Sequence, residues 1–448
     1  MSKININEFI STTKFNKFHL TMFTLFFMII TFDGFDMVMY GATMPVLLKE
    51  FHMTPTQAGL IGSCGLIGAG AGALAFGFLA DRIGRKKVII LCTIFFSVGS
   101  LLSGFSTTMT TFGFFRFIMG LGLGGVMPNI VSLTTEYAPN KNKAVMVAAI
   151  FSGMQVGGIL ASGLSIWLLK DYGFEILYMI GGFPLLLLPL LIKFLPESTV
   201  NLIKNNRIET LRNICGKLQP TINLPKNVSF ELDNTEKSSL PALFREKRGV
   251  NTILIWIVFF MNMFITAGVS TWLPQLMIKA GFGLSFGLLF LLTLNLGALF
   301  GSNIAGFVVG RIGYKKTLVS LYLLAFVSIT LLGFTTNLFA VLTLVALAGI
   351  GFFGGQNIAN GYLSLFYPPS MRSTGMGFAF GLGRFGAIFA PTILGFIVSW
   401  GLHLYVSFLA VSIPGLIAAC IVLLIQEKKS DLQTSKTTKM GDPEIQIN

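Results

Sequence analysis

"GFLADRIGRKK", residues 77–87, returns later in the chain as "GFVVGRIGYKK", residues 306–316. The shift of 229 positions (306 against 77) carries Gly77, Arg82, Gly84, Lys86 and Lys87 onto Gly306, Arg311, Gly313, Lys315 and Lys316. It also carries Gly120, Gly122 and Gly125 onto Gly349, Gly351 and Gly354, Pro139 onto Pro368, Lys143 onto Arg372, and Gly157 onto Gly386. One shift that holds across several segments marks a duplication rather than shared composition. The fold of the chain is therefore the fold of one half, made twice.

Hydropathy says what each half is. With 448 residues, 53% hydrophobic, 11% charged and a mean hydropathy of +0.77, the chain has too few polar side chains to cover a water-soluble surface. Apolar stretches of about 18 residues or more are long enough to cross a bilayer. Twelve are found, near 19–46, 57–80, 88–107, 111–135, 144–168, 176–195, 250–277, 284–309, 316–334, 337–363, 373–399 and 403–425. The first follows a polar stretch with Lys3, Lys14 and Lys17 and lacks a small-residue cleavage site, so it reads as a retained helix and not a signal peptide. The expected fold is an all-α membrane protein with twelve transmembrane helices in two pseudo-symmetric six-helix bundles. The expected divisions are a cytoplasmic tail 1–18, a bundle 19–195, a cytoplasmic linker 196–249, a second bundle 250–425 and a cytoplasmic tail 426–448. Bundles related by an axis along the membrane normal, with a site between them near the midplane, form a transporter architecture.

The net charge of +14 invites a nucleic-acid reading, but the charges are placed by topology. With both termini inside, only Lys49, Lys170 and Lys279 of the 32 basic residues fall outside; Arg116 and Arg384 sit within spans and the other 27 lie inside. That asymmetry is the positive-inside bias. The linker holds nine basic and six acidic residues, and Ile208, Leu211, Cys215 and Leu218 recur in it at helical spacing. This fits a short amphipathic helix on the inner membrane face or a solvated linker. Cys64, Cys92, Cys215 and Cys420 have neither pairing nor metal spacing and read as packing residues. His19, His52 and His403 lie near membrane borders, and no Ser/His/Asp constellation or metal cluster can be assembled. The expectation is a transporter and not an enzyme, without cofactor or metal, driven by a proton gradient.

Charge inside a span is expensive and demands a purpose. "TFDGFDMVMYG", residues 31–41, puts Asp33, Asp36 and Tyr40 on one helical face. At 1.5 Å per residue the two acids lie roughly 20 to 25 Å from the inner end of span one, and Arg116 lies about 9 Å inside the outer end of span four. All three share the outer half, with Asp36 nearer the arginine. Two acids and one base do not balance, so one carboxyl holds a proton part of the time and becomes a proton carrier. The plainer reading is an ion pair that pins two helices.

Arg384 lies about 17 Å from the inner end of span eleven, and no acid in spans seven to twelve neutralises it. A chloride, a distant pair with span one or an anionic substrate remains; the guanidinium fork suits a carboxylate. Tyr40, Asn262, Thr266, Asn295, Gln356, Asn357 and Asn360 are candidates to line a substrate cavity, the last six each as readily interhelical glue. The 44 Phe could sandwich a benzene ring, though most must face lipid. Gly65, Gly68, Gly72, Gly153 and Gly157 read as close-packing positions. At the inner end of span two, Asp81, Arg82 and Arg85 form a charged gate. There Asp81 could cap the start of span eleven near Ser373 and Thr374, and Arg85 could meet Glu136.

"GFLADRIGRKK" and "RFIMGLGLGG", residues 116–125, together resemble the signatures of the major facilitator superfamily. "DGFD" at 33–36, "WLPQLM" at 272–277 and "LPES" at 195–198 narrow the resemblance to its aromatic acid:proton symporters, over roughly residues 15–425. The resemblance implies a monomer in the bacterial inner membrane that takes up benzoate, a hydroxybenzoate or muconate with protons. It ties the acids of helix one and the arginine of helix four to coupling and substrate binding, and Asp81 to an inner latch. This chain departs from the pattern with Gly310 in the place of Asp81, with Lys143 where Arg is frequent and with Thr199 where Pro is frequent. The rival readings are a proton-driven exporter of apolar drugs or organic ions, a symporter of another organic acid, and a channel.

Overall fold

The computed structural model describes residues 3–219, 229–231, 243–244, 249–368 and 371–426. Twelve helices among them are long and apolar enough to cross a membrane. They are α1 (Lys17–Glu50), α2 (Pro55–Ile83), α3 (Arg85–Gly104), α4 (Met109–Tyr137), α5 (Lys143–Tyr172) and α6 (Glu175–Phe194). The second set is α7 (Gly249–Lys279), α8 (Leu284–Ile312), α9 (Tyr314–Leu332), α10 (Leu338–Phe366), α11 (Arg372–Ser399) and α12 (Leu404–Leu424). α6 is interrupted by a 3-10 turn at Phe183–Leu187, where Pro184 and Pro189 withhold backbone donors.

The duplication seen in the sequence recurs in the contacts, each copy by itself. Gly84 between α2 and α3 has φ +99°, and its counterpart Gly313 between α8 and α9 has φ +83°, a region that favours glycine. A Cβ built on Gly68 would lie 2.2 Å from the Phe117 carbonyl, and one on Gly297 would lie 2.4 Å from that of Ala346. Likewise a Cβ on Gly157 would lie 1.9 Å from the Thr31 carbonyl, and one on Gly386 would lie 2.1 Å from that of Phe260. Both partners in each pair are related by the shift of 229 (346 against 117, 260 against 31). Backbones therefore approach at equivalent points in both halves, which only glycine permits. Lys86 Nζ donates to the Ile192 carbonyl at 2.7 Å, and its counterpart Lys315 donates to the carbonyls of Leu423 and Ile425 at 2.8 and 2.9 Å. Both lysines satisfy backbone at the end of their half's last helix.

Two compact units result. The first comprises Met1–Asn234 with Ser270–Asn295 and Pro391–Gly401; the second comprises Thr235–Val269, Leu296–Ala390 and Leu402–Asn448. The outlying segments of α7, α8 and α11 thus join the first unit. Its core packs Met22, Phe26, Phe96, Val126, Ile130 and Tyr137. The second is built on Phe259, Leu318, Tyr322, Leu363 and Val422.

The all-α expectation misses one small feature. Lys3–Asn5 pairs in parallel with Ser229–Glu231, and a short helix Ile6–Ser11 follows. A helix does form over Ile208–Leu218 in the linker. Its apolar side, Leu211, Ile214, Cys215 and Leu218, is buried with Ile6, Ile10 and Tyr137, not spread on a membrane face. Asn16 Nδ2 ties the arrangement together by donating to the carbonyls of Lys217 and Leu218 at 2.9 and 3.0 Å. Residues 427–448, most of the expected C-terminal tail, lie outside the described residues.

Candidate functional site

Three residues of the first unit form a compact charged site. Arg116 on α4 donates from Nη1 to Asp36 Oδ1 on α1 at 2.8 Å, and Arg116 is only 5% exposed. Its guanidinium carbon stands 4.6 Å from the centroid of the Tyr40 ring. On α2, Gly65 leaves room for it, since a Cβ there would lie 3.2 Å from Nη2. Tyr40 is itself buried, and its hydroxyl donates to the Ala58 carbonyl at 2.5 Å. Nε of Arg116 has no hydrogen-bond partner among the described residues. Asp33 lies three positions before Asp36 on the same helix and is half-buried.

The duplication gives this site its meaning. The positions equivalent to Asp33, Asp36, Tyr40 and Arg116 in the second half are Asn262, Ile265, Val269 and Val345. Ile265 and Val345 are fully buried. The same helical framework is thus built with apolar side chains where the first half holds its ion pair, so the framework does not require the pair.

The second unit holds the other candidates. Asn262 Nδ2 of α7 donates to the Phe352 carbonyl of α10 at 3.1 Å, and Thr266 Oγ1 donates to the Asn262 carbonyl one turn back on its own helix at 2.9 Å; both side chains are buried. Gln356, Asn360 and Arg384 are half-buried and Asn357 is exposed. Asn360 Oδ1 is buried with no hydrogen-bond partner among the described residues. Asn295 belongs instead to the first unit, where its Nδ2 donates to the Leu291 carbonyl at 2.8 Å and its Oδ1 faces Gly158. A pocket of about 470 Å³ opens where α1 ends in the first unit, lined by Lys49, Glu50, Gln275 and Phe282 among others, and includes none of the expected site residues.

At the basic end of the first unit, Arg85 and Glu136 form an ion pair. Glu136 also accepts from Ser198 Oγ at 3.1 Å and from the Thr199 N–H and hydroxyl at 3.0 and 3.3 Å. Glu197 accepts from the Lys86 N–H at 3.3 Å, and its carbonyl accepts from the Tyr137 hydroxyl at 2.5 Å. Thr199 is thus the departure from the family pattern that matters here, because a proline would have no N–H to give. Asp81 and Arg82 are exposed. Asp81 belongs to the first unit and Thr374 to the second, and the side chain of Ser373 lies outside the described residues. Sequence reasoning missed Ser198 and Thr199 as partners of Glu136; the break at "LPES" was the available signal. Among the described residues no cluster could hold a metal ion.

The model of the Major Facilitator Superfamily matches residues 26–304 and 291–445. This chain belongs to the major facilitator superfamily. It is a multi-pass membrane transporter and not an enzyme. It is 40% identical to the benzoate transport protein of Acinetobacter baylyi, over 95% of this chain and 94% of that protein. It is 31% identical to the gentisate transporter of Corynebacterium glutamicum, over 92% and 89% of the two chains. It is 30% identical to a 4-hydroxybenzoate transporter of Pseudomonas aeruginosa, over 95% and 96%. Among solved structures, a bacterial homologue of the human lysosomal transporter Spinster, inward-facing and unoccupied, superposes with a TM-score of 0.72 at 16% identity over 96% of this chain and 100% of that one. A D-xylose–proton symporter superposes with a TM-score of 0.70 at 15% identity over 92% and 97%. These two likenesses concern the facilitator fold alone.

Proposed function

We propose that this facilitator takes up a small aromatic carboxylate, benzoate first among the candidates, together with protons by alternating access. The observation that carries the reading is the one-sidedness of the charge. Asp33, Asp36 and Arg116 occupy positions where the duplicated half manages with Asn262, Ile265 and Val345. Buried charge retained where the fold does without it points to work on protons and anions. The relatives named above carry benzoate, gentisate and 4-hydroxybenzoate, all aromatic carboxylates.

In this reading Asp33 loads and releases the proton, while Asp36 holds Arg116. Arg384 binds the carboxylate through its planar fork, and Gln356, Asn357 and Asn360 of α10 meet ring substituents. Asn262 ties α7 to α10. Asp81 and Arg82 join the Arg85–Glu136 network as the inner latch. The protein works as a monomer in the bacterial inner membrane with both termini in the cytoplasm, and it needs no cofactor beyond the proton gradient.

Uptake of labelled benzoate, 4-hydroxybenzoate, gentisate and muconate by cells, with and without an uncoupler, tests the reading. Benzoate accumulation that the uncoupler abolishes, and that Arg384→Ala loses, is expected. Efflux of apolar cations without uptake of any acid would replace it with the exporter reading.

A further inference from the structure

Tyr40 lies between two features that a transport cycle has to connect. One face of its ring carries the Arg116 guanidinium, 4.6 Å away, which in turn holds Asp36. Its edge lies against Gly62 of α2, where a Cβ would fall 2.9 Å from Tyr40 Cε1. Its hydroxyl is fixed on the Ala58 carbonyl at 2.5 Å.

The stretch of α2 that Tyr40 grips is the stretch that meets α11 within the first unit. A Cβ on Gly59 would lie 2.4 Å from the Pro391 carbonyl, and one on Gly62 would lie 3.1 Å from Pro391 Cβ. Ser63 Oγ and Thr392 Oγ1 are hydrogen-bonded at 2.7 Å. The Pro391 carbonyl also accepts from Trp272 Nε1 of α7 at 3.0 Å. Under the proposed topology this contact lies on the outer side of the site.

We infer that Tyr40 is a positioning residue that transmits the state of the Asp36–Arg116 pair to the outer contact between α2 and α11. The inference rests on the alternating-access reading above. While the pair is made, the guanidinium is held flat between the Tyr40 ring and Gly65, and the ring holds Ala58 through its hydroxyl. When the pair opens, the guanidinium is no longer anchored on that side, and the ring it covers loses its clamp. A close-packed interior passes such a displacement on because it has no slack to absorb it. Tyrosine is well matched to this role, because a rigid ring with one polar tip can touch a cation with its face and a backbone carbonyl with its end.

The test is a double-mutant cycle read at the outer contact. Thr392→Cys is introduced into the full chain with Cys64, Cys215 and Cys420 replaced by alanine, and its reaction with a maleimide is followed on the detergent-solubilised protein without substrate. Cys92, buried in the core of the first unit, remains as an internal reporter and is resolved by peptide mass spectrometry. Asp36→Asn keeps an acceptor for Arg116 but no charge, and it should raise the labelling rate of the introduced thiol about five- to tenfold. Tyr40→Phe keeps the ring but cannot hold Ala58, and it should raise the rate by a similar factor. The two together should give no more than either alone. Multiplying effects would make Tyr40 and the pair independent and overturn the inference. A rate that Tyr40→Phe leaves unchanged would also overturn it, as would a parallel rise at Cys92, which would mean general loss of packing. Labelling needs neither substrate nor a proton gradient, so a failure of the uptake reading and a failure of this relay are separate results.

Discussion

Arg116 and Asp36 are joined by a 2.8 Å hydrogen-bonded ion pair whose side chains are 6% and 14% exposed. Taking one partner away leaves the other charged and almost sealed from water, the costly way to break such a pair. Arg116→Ala should therefore destabilise the protein by about 3 kcal/mol or more. The double variant Arg116→Ala with Asp36→Ala should regain a good part of that loss. Thermal unfolding of the detergent-solubilised protein measures both, and a double variant no better than the single one would remove the pair from the stability of α1 against α4.

Gly72 and Gly77, five positions apart on α2, should respond in opposite ways. A Cβ on Gly72 would lie 2.0 Å from the Leu121 carbonyl, whereas one on Gly77 would meet nothing within 4 Å. Gly72→Val is expected to abolish assembly of α2 against α4 and with it expression in the membrane. Gly77→Ala should express and melt like the parent, within about 0.5 kcal/mol. Equal behaviour of the two would mean that α2 does not approach α4 as closely as the structure has it.

Glu136 gathers Arg85, Ser198 and Thr199, and two of its bonds depend on the residue that departs from the family pattern. Thr199→Pro removes the N–H donor and the hydroxyl together and should lower stability by about 1 to 3 kcal/mol. Thr199→Ser keeps both donors and should be close to neutral. Because the proposed latch acts on a conformational equilibrium, Glu136→Gln is expected to lower transport rate more than substrate affinity. Transport rates that stay at the parent level with normal expression would reduce Glu136 to a structural role.

The Cys215 thiol, outside the spans, is buried among Leu211, Ile214 and Leu218, and burial pushes it up to about 12. Below the unfolded thiol value of about 8.5 it is neutral in both states and pH has no leverage. Between that value and about 12 the unfolded thiol ionises while the folded one does not, so stability falls as pH rises through that window. At pH 7.5 maleimide should leave the buried Cys215 untouched in the native protein and label it once the protein is unfolded in denaturant. Rapid labelling of Cys215 in the native protein would show that the linker helix is not docked.

Much of this architecture was legible in the sequence, for reasons peculiar to membranes. A bilayer imposes a length and an apolar composition on each span, and duplication writes the same glycines twice at a fixed shift. Helical arithmetic also sufficed to bring Asp36 rather than Asp33 toward Arg116, because α1 and α4 are long, regular and antiparallel. The strand Lys3–Asn5 was not legible, since three residues carry no periodic signal and their partner lies beyond residue 228. The grip of Tyr40 on Ala58 was equally hidden. A helical wheel gives the direction of a side chain but not which neighbouring carbonyl its tip will reach. Polar residues such as Asn262 read alike as ligand contacts or as glue until the Phe352 carbonyl is seen beside them.

The central claim is that the helix-one carboxylates couple an aromatic anion to protons, and charge arithmetic selects the measurement. A monoanion entering with one proton moves no net charge, so only a pH difference drives it. With two protons each cycle carries one positive charge inward and gains about 2.3 kcal/mol per 100 mV. Purified protein in liposomes, supplied with labelled benzoate under an imposed pH difference, an imposed potential, or neither, separates these cases. The account predicts uphill accumulation under the pH difference, and Asp33→Asn should lose it while still exchanging internal for external benzoate. Accumulation by Asp33→Asn equal to that of the parent protein, abolished only by an uncoupler, would contradict the account.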